Sequence, residues 1–133
     1  RLNNFQHPEV VASRNHTLLK NFKRLIEKNY INLKLPRDYA ELLYITPNHL
    51  NALSNHLLGS SAGEIIRNRL FLEAKRLLMN PDLTISEVAS NLNFVDNSYF
   101  SRAFKKNVGI SPEEFRWKSL NNQYESDMIK INR

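Results

Sequence analysis

The sequence predicts an all-α fold of about seven helices, in which two helix-turn-helix subdomains are joined by a long linker helix. Apolar residues recur at intervals of three and four along most of the chain, which places them on one face of a helix. The 133 residues include only three glycines and five prolines, which favours helices over a strand-rich fold. A helix pair is also present twice, about fifty residues apart, which indicates a duplicated unit.

The first fifteen residues are polar and lack a sustained period. We therefore expect residues 1–15 to be a linker or the end of an upstream region, and the folded domain to cover about 16–120. From His16 to Tyr30 an amphipathic helix is predicted, because leucine, isoleucine and phenylalanine recur at helical spacing. The lysines and arginines on its other side are expected to form a solvated face.

Subdomain one, about residues 16–60, continues with a short helix from Pro36 to Leu43 and a turn at residues 44–45. Thr46 is expected to cap the next helix, and the proline that follows it occupies the first helical position, where a missing amide proton costs nothing. Gly59 is expected to end that helix in the left-handed conformation. The stripe predicted to face the core is Leu50, Leu53 and Leu57.

The linker helix is predicted over residues 61–80. Ser61 and Glu64 have the spacing of a capping box at its start, and Asn80-Pro81 stops it. At 1.5 Å per residue, about twenty residues span about 30 Å, close to one turn of B-DNA.

Subdomain two, about residues 82–120, repeats the pattern. Thr84 and Glu87 form a capping box, and Asp96 is expected to cap the second helix of the pair. Phe100, Ala103 and Phe104 are predicted to face inward. A last short helix is expected after Ser111-Pro112, with Phe115 and Trp117 making apolar contacts, followed by a frayed or helical tail over 121–133.

The two subdomains align when the chain is shifted by fifty residues. Thr46 then falls on Asp96, Gly59 on Gly109 and Ser61 on Ser111, so that caps and stops coincide. The outward faces of the two second helices also correspond, with positions 48, 51, 52 and 55 matching 98, 101, 102 and 105. Two such helices on one rigid linker are expected to enter successive major grooves of one duplex.

Composition restricts the class of protein. The net charge of +6 fits a polyanionic partner, although many basic proteins bind none. The absence of cysteine excludes disulfides and thiolate metal sites and favours a reducing compartment. No apolar run is long enough to span a membrane, and no phosphate loop, nucleophile elbow or paired carboxylates indicate an enzyme.

Several motifs together resemble the DNA-binding domain of the AraC/XylS family of bacterial transcription regulators. They are Ile85-Ser-Glu-Val-Ala89, Asn93-Phe94, Ser98-Tyr-Phe-Ser-Arg-Ala-Phe-Lys105 and Gly109-Ile-Ser-Pro-Glu-Glu-Phe-Arg116. The resemblance covers about residues 22–117 and implies seven helices with two helix-turn-helix motifs. The sequence departs from the family pattern at Ser54, where an aromatic residue is usual, and at Asn93, which replaces a glycine but tolerates a left-handed turn.

The resemblance places base-contacting residues on the two outward helix faces. Asparagine can bond adenine bidentately and arginine can bond guanine, so an A·T-leaning half-site and a G·C pair are expected. The expected base contacts are Asn48, Asn51, Ala52, Asn55, Asn97, Ser98, Ser101 and Arg102. The expected phosphate contacts are Pro47, His49, Tyr99, Lys105, Lys106, Arg116 and Lys118, with Arg67 and Arg69 as weaker candidates or members of structural ion pairs.

These patterns predict a DNA-binding transcription regulator of the bacterial cytoplasm. Double-stranded DNA is the expected partner; RNA polymerase and an upstream domain for effector binding and dimerisation are further candidates. No cofactor or metal is expected, since His49 and His56 stand seven apart without a neighbouring carboxylate cluster. The alternative is a helical protein-interaction module without specific DNA binding, which the uncharged outward face of residues 48–55 would fit.

Overall fold

A computed structural model describes the backbone of residues 7–131 and the side chains of residues 7–122. All regular elements in this part of the chain are helices, which confirms the all-α prediction. The chain forms two compact units that divide between Arg69 and Leu70. The seven helices are α1 (Pro8–Asn29), α2 (Pro36–Leu42), α3 (Pro47–Leu58), α4 (Ala62–Leu78), α5 (Ile85–Asn91), α6 (Asn97–Val108) and α7 (Pro112–Ile131). None of the helices within residues 7–131 is both long enough and apolar enough to cross a membrane.

The helices begin where the capping residues predict. The side chain of Thr46 accepts a hydrogen bond from the amide of His49 at 3.1 Å, at the start of α3. At α5 the box is complete, because Thr84 accepts from the amide of Glu87 at 3.0 Å and the Glu87 carboxylate accepts from the amide of Thr84 at 3.2 Å. Asp96 accepts from the amide of Tyr99 at 2.7 Å, which fixes the first turn of α6.

The ends of α3 and α6 use glycine in the left-handed region. Gly59 has φ of 72° and Gly109 has φ of 101°, and the amide of each bonds a carbonyl four residues earlier. A residue with a Cβ is strained in this conformation, so glycine sets the end of each helix. Both stops agree with the sequence prediction.

The core of the first unit lies where α1, α2 and α3 meet. The rings of Phe22 and Tyr39 pack edge to face, with centroids 5.6 Å apart, and Leu50 of α3 is fully buried with them. Arg69 bonds the carboxylate of Glu27 at 2.8 Å and lies 4.3 Å from the centroid of the Tyr30 ring. The structural interpretation of Arg69 is therefore confirmed.

The second unit has an aromatic core. Phe104 of α6 is fully buried and contacts Phe71, Phe100 and Phe115, with ring centroids 5.7–6.0 Å apart. Phe94, from the turn between α5 and α6, contacts Phe100 at 5.1 Å. Aromatic pairs at these separations add to the stabilisation from burial, so the turn and α6 are held by one cluster.

Three helix boundaries differ from the predictions. Helix α1 begins at Pro8, well before the predicted start at His16, while residues 1–6 of the expected linker lie outside the described residues. Helix α4 has 17 residues, so it spans about 25 Å at 1.5 Å per residue. Helix α7 continues to Ile131, so the tail is helical up to that residue.

Two predicted core residues are exposed. Leu57 is 43% exposed, and the buried residue on that face of α3 is Ser54 instead, because it lies one helical turn after Leu50. Trp117 is 66% exposed, so its assignment to the core is wrong. Its neighbours Phe115 and Arg116 on α7 are half-buried, so the side of α7 that packs on the protein carries these two residues and not the tryptophan.

Candidate nucleic-acid interface

The outward face of α3 is exposed as predicted. Asn48, Asn51, Ala52 and Asn55 are all exposed, while Leu50 and Leu53 on the opposite side are buried. The face is polar and carries no charged side chain apart from the ionisable histidines nearby. From Pro36 to Leu58 the chain has one basic and two acidic residues, so this motif has a net charge of −1.

Two asparagines on this face already make hydrogen bonds within the first unit. The Oδ1 of Asn51 accepts from the backbone amide of Ala62 at 3.2 Å, at the start of α4. The Nδ2 of Asn55 donates to the carbonyl of Asn51 at 3.1 Å, four residues earlier in the same helix. The bond to Ala62 joins residues eleven apart in two helices, and the helical pattern of α3 gave no sign of it.

The outward face of α6 is small, polar and basic. Asn97, Ser98, Arg102 and Lys105 are exposed, and Ser101 is half-buried. Phe100 and Phe104 lie on the buried side, as predicted. An exposed helix face of this kind, with one arginine among small residues, has the composition that suits contact with base edges in a major groove.

The candidate phosphate contacts at the two helix starts and on α6 are exposed: Pro47, His49, Tyr99, Lys105 and Lys106. Tyr99 is 55% exposed, and the centroid of its ring lies 6.0 Å from that of the Phe94 ring. From Asn97 to Lys118 there are five basic and two acidic residues, a net charge of +3. The second motif is therefore the more favourable one for polyanions.

Arg116, one of the predicted phosphate contacts, makes two hydrogen bonds to the protein backbone. Its Nε donates to the carbonyl of Leu78 at 2.7 Å, and a second guanidinium nitrogen donates to the carbonyl of Asn80 at 3.2 Å. These carbonyls lie at the end of α4, where backbone acceptors lack helical partners. Arg116 thus holds α7 against the end of α4, because two of its guanidinium nitrogens are bonded to backbone carbonyls there.

Lys118 is the remaining predicted phosphate contact. Its Nζ lies 3.5 Å from the carboxylate of Glu114, one turn earlier on α7, and both side chains are about half exposed. An ion pair of this kind is weak in water, so it leaves the lysine able to exchange partners.

Comparison with known proteins places the fold in a family. A model described as a helix-turn-helix domain matches residues 39–118, which is more than half of the chain and includes both α3 and α6. The chain belongs to the AraC family. It carries the DNA-binding helix-turn-helix domain of a class of transcription regulators, as its resemblance to this family implied.

Two relatives and one solved structure illustrate the match. The chain is 33% identical over 119 residues to YijO of Escherichia coli K12, an uncharacterised HTH-type transcriptional regulator, with 90% of this chain and 40% of that protein covered. It is 38% identical over 77 residues to the arabinose operon regulatory protein of the same strain, covering 58% of this chain and 26% of that protein. The C-terminal domain of AraT, a response regulator from Geobacillus stearothermophilus, superposes with a TM-score of 0.68 at 28% identity, covering 76% of this AraC-family chain and 84% of that chain.

The chain therefore spans well under half the length of these two relatives. The similarity covers 119 residues of this chain for YijO and 77 residues for the arabinose operon regulatory protein.

Proposed function

We propose that this AraC-family chain is the sequence-specific DNA-binding part of a bacterial transcription regulator, and that α3 and α6 contact the bases of two neighbouring half-sites. The observation that carries the proposal is the duplication of one arrangement. Each motif presents an exposed polar face on a helix that is capped at its start, ended by a left-handed glycine and anchored by a buried apolar face. Double-stranded DNA is the partner that a pair of such faces fits.

The two motifs recognise different base pairs. In the second motif Asn97, Ser98, Ser101 and Arg102 contact bases, and the arginine selects guanine through a bidentate bond. In the first motif Asn48 and Ala52 contact bases and favour A·T pairs. Asn55 contributes its Oδ1 to a base, because its Nδ2 already donates to the carbonyl of Asn51. Asn51 is left out of this set because its Oδ1 already accepts from Ala62.

Phosphate contacts supply affinity without sequence choice. Lys105 and Lys106 on α6 provide most of the attraction and Lys118 on α7 adds to it, because the second motif carries the positive charge. Pro47, His49 and Tyr99 lie at the starts of the two recognition helices, where backbone amides and the helix dipole favour an anion. This arrangement predicts that the second motif dominates nonspecific binding.

The wider setting follows from the relatives. We propose that the full regulator acts in the bacterial cytoplasm, that it works by binding rather than catalysis, and that RNA polymerase and an upstream effector-binding, dimerising domain are its further partners. The support is the bacterial origin of the matched regulators and the fact that the chain covers only part of them.

Selection of bound duplexes from a random DNA pool tests the proposal. We expect an enriched sequence with two half-sites, whose separate mutation lowers affinity and whose separation by five inserted base pairs abolishes joint binding. Arg102→Ala is expected to cost about 1–3 kcal/mol on the selected duplex and to relax preference at one base pair. A pool with no enrichment, together with no salt-dependent gel shift, would instead favour the helical protein-interaction module.

A further inference from the structure

A backbone amide at the start of α4 depends on a side chain from α3. Ala62 is the first residue of α4, and the N–H at this position has no partner within its own helix. Ala62 is fully buried, so water does not satisfy the group either. The Oδ1 of Asn51 accepts from it at 3.2 Å. Because an unpaired buried amide is costly, this bond ties the middle of α3 to the start of α4.

The second unit lacks both halves of this bond. A shift of fifty residues places Ser101 at the position of Asn51 and Pro112 at the position of Ala62. Pro112 is buried and begins α7 as Ala62 begins α4, but a proline has no N–H to satisfy. The long amide side chain thus occurs in the unit that has a buried donor. If Asn51 served only to contact bases, its residue type would not depend on whether the residue eleven positions later has a backbone N–H.

We infer that Asn51 is a positioning residue, whose Oδ1 holds α3 in place so that Asn48 and Ala52 meet the bases. The inference rests on the proposed function, because the orientation of α3 matters for recognition only if α3 binds DNA. A bidentate contact with adenine requires the oxygen and the amino group of an asparagine side chain to face the base together. In Asn51 the oxygen is directed at Ala62 instead.

A double-mutant cycle on folding stability tests the bond. Ala62→Pro removes the donor and copies the arrangement at Pro112. In urea unfolding, Asn51→Ala is expected to lower the folding equilibrium constant about fivefold more in the parent than in the Ala62→Pro background, the value of about one net hydrogen bond. An equal effect in the two backgrounds overturns the inference. Ser101→Ala is the matched control, because Pro112 at the equivalent partner position has no N–H. We expect it to leave the folding equilibrium constant without the fivefold loss.

A second variant keeps the test decisive if Ala62→Pro does not fold. Asn51→Asp retains an acceptor at the same place but loses the amino group that a base contact needs. It is expected to be more stable than Asn51→Ala, although aspartate is the poorer helix former. If Asn51→Asp is no more stable than Asn51→Ala, the acceptor does not matter and the inference is overturned.

Binding to the selected duplex and to its single-base-pair variants gives a readout that stability alone does not move. We expect Asn51→Ala to weaken the preferences under the first motif together, because the whole of α3 shifts. Loss of preference at one base pair, with the others unchanged, makes Asn51 a base contact and overturns the inference while the proposed function stands. If the parent selects no sequence at all, the proposed function fails, and the inference fails with it whatever the stability cycle gives.

Discussion

Tyr44 and Asn93 occupy equivalent positions in the two helix-turn-helix motifs and adopt the same left-handed backbone conformation. Their φ values are 57° and 58°, and they are the two non-glycine residues with positive φ in the described part of the chain. Each follows the first helix of its motif by two residues and turns the chain toward the second. The turn therefore requires the left-handed region in both motifs, although one motif supplies an asparagine, which tolerates it, and the other a tyrosine.

The strain at Tyr44 leads to a first prediction. A left-handed residue with a Cβ costs about 1–2 kcal/mol, and the Tyr44 side chain is 95% exposed, so it recovers little by burial. Tyr44→Gly is expected to stabilise the first unit by about 0.5–1 kcal/mol, after the entropic cost of glycine in the unfolded chain. Urea unfolding measures the change. Val95→Gly is the matched control, since Val95 is equally exposed without positive φ, and it is expected to destabilise.

The buried hydroxyl of Ser54 leads to a second prediction. Ser54 is fully buried in α3, and its Oγ has no hydrogen-bond partner among the residues that the structure describes. An unsatisfied buried hydroxyl is unfavourable, so Ser54→Ala is expected to raise the free energy of unfolding by about 1 kcal/mol. The same change at half-buried Ser101 corrects for the higher helix propensity of alanine. A loss of stability relative to Ser101→Ala would contradict the absence of a partner.

Local signals account for what the sequence predicted well. The caps at Thr46, Thr84 and Asp96 involve residues three apart, and the glycine stops depend on one residue's conformation, so each can be recognised from a few neighbouring residues. The helix faces follow from the period of 3.6, which set the exposure of the α3 and α6 faces correctly. The resemblance to a family added the assignment of those faces to DNA.

Contacts between distant residues account for what the sequence did not predict. Asn51 meets Ala62 across eleven residues, and Arg116 meets Leu78 across thirty-eight. Neither partner has an unusual residue type, so composition and spacing carry no sign of the contact. The prediction that Leu57 is buried was wrong for a related reason. Positions 54 and 57 both lie on the same helix face as Leu50, and only packing against the other helices decides which of the two is buried.

The bonds of Arg116 lead to a third prediction. Two guanidinium nitrogens bond carbonyls at the end of α4, and a hydrogen bond to a charged group contributes about 1.5–3 kcal/mol. Arg116→Ala is expected to lower the free energy of unfolding by about 2 kcal/mol. Its DNA binding, measured where the variant is folded, is expected to keep the salt dependence of the parent. Lys118→Ala, which removes an exposed ion pair on the same helix, is expected to cost under about 0.5 kcal/mol. A reduced salt slope for Arg116→Ala would show that Arg116 also contacts a phosphate.

The phenol of Tyr39 leads to a fourth prediction, about alkaline pH. Burial raises the pKa of Tyr39 to about 12, and the neighbouring Asp38 carboxylate adds to the shift. The hydroxyl donates to the carbonyl of Leu33 at 2.7 Å, which only the neutral form can do. Because the folded pKa lies above the unfolded value of about 10, the stabilisation is complete below pH 10 and is lost as the pH rises toward 12.

Tyr39→Phe isolates this contribution. The variant is expected to be less stable than the parent at neutral pH, because it lacks the bond to Leu33, and the difference is expected to shrink between pH 10 and pH 12. Urea unfolding at a series of pH values measures both curves. Parallel curves over that range would contradict the assignment, and Tyr44→Phe, at an exposed tyrosine, controls for a general effect of removing a phenol.

The exposed lysines of α6 lead to a fifth prediction. Lys106 is exposed and lies in the last turn of the helix that carries Arg102. If Lys106 neutralises one phosphate, Lys106→Ala is expected to lower the slope of log K against log salt by about 0.9. The loss of affinity is expected to be the same on the selected duplex and on random DNA, because a phosphate contact carries no sequence information.

Lys28→Ala, at a basic residue in the last turn of α1, is the control and is expected to leave the slope unchanged. A loss confined to the selected duplex would make Lys106 a base contact, and an unchanged slope would move the phosphate contact to its neighbour Lys105.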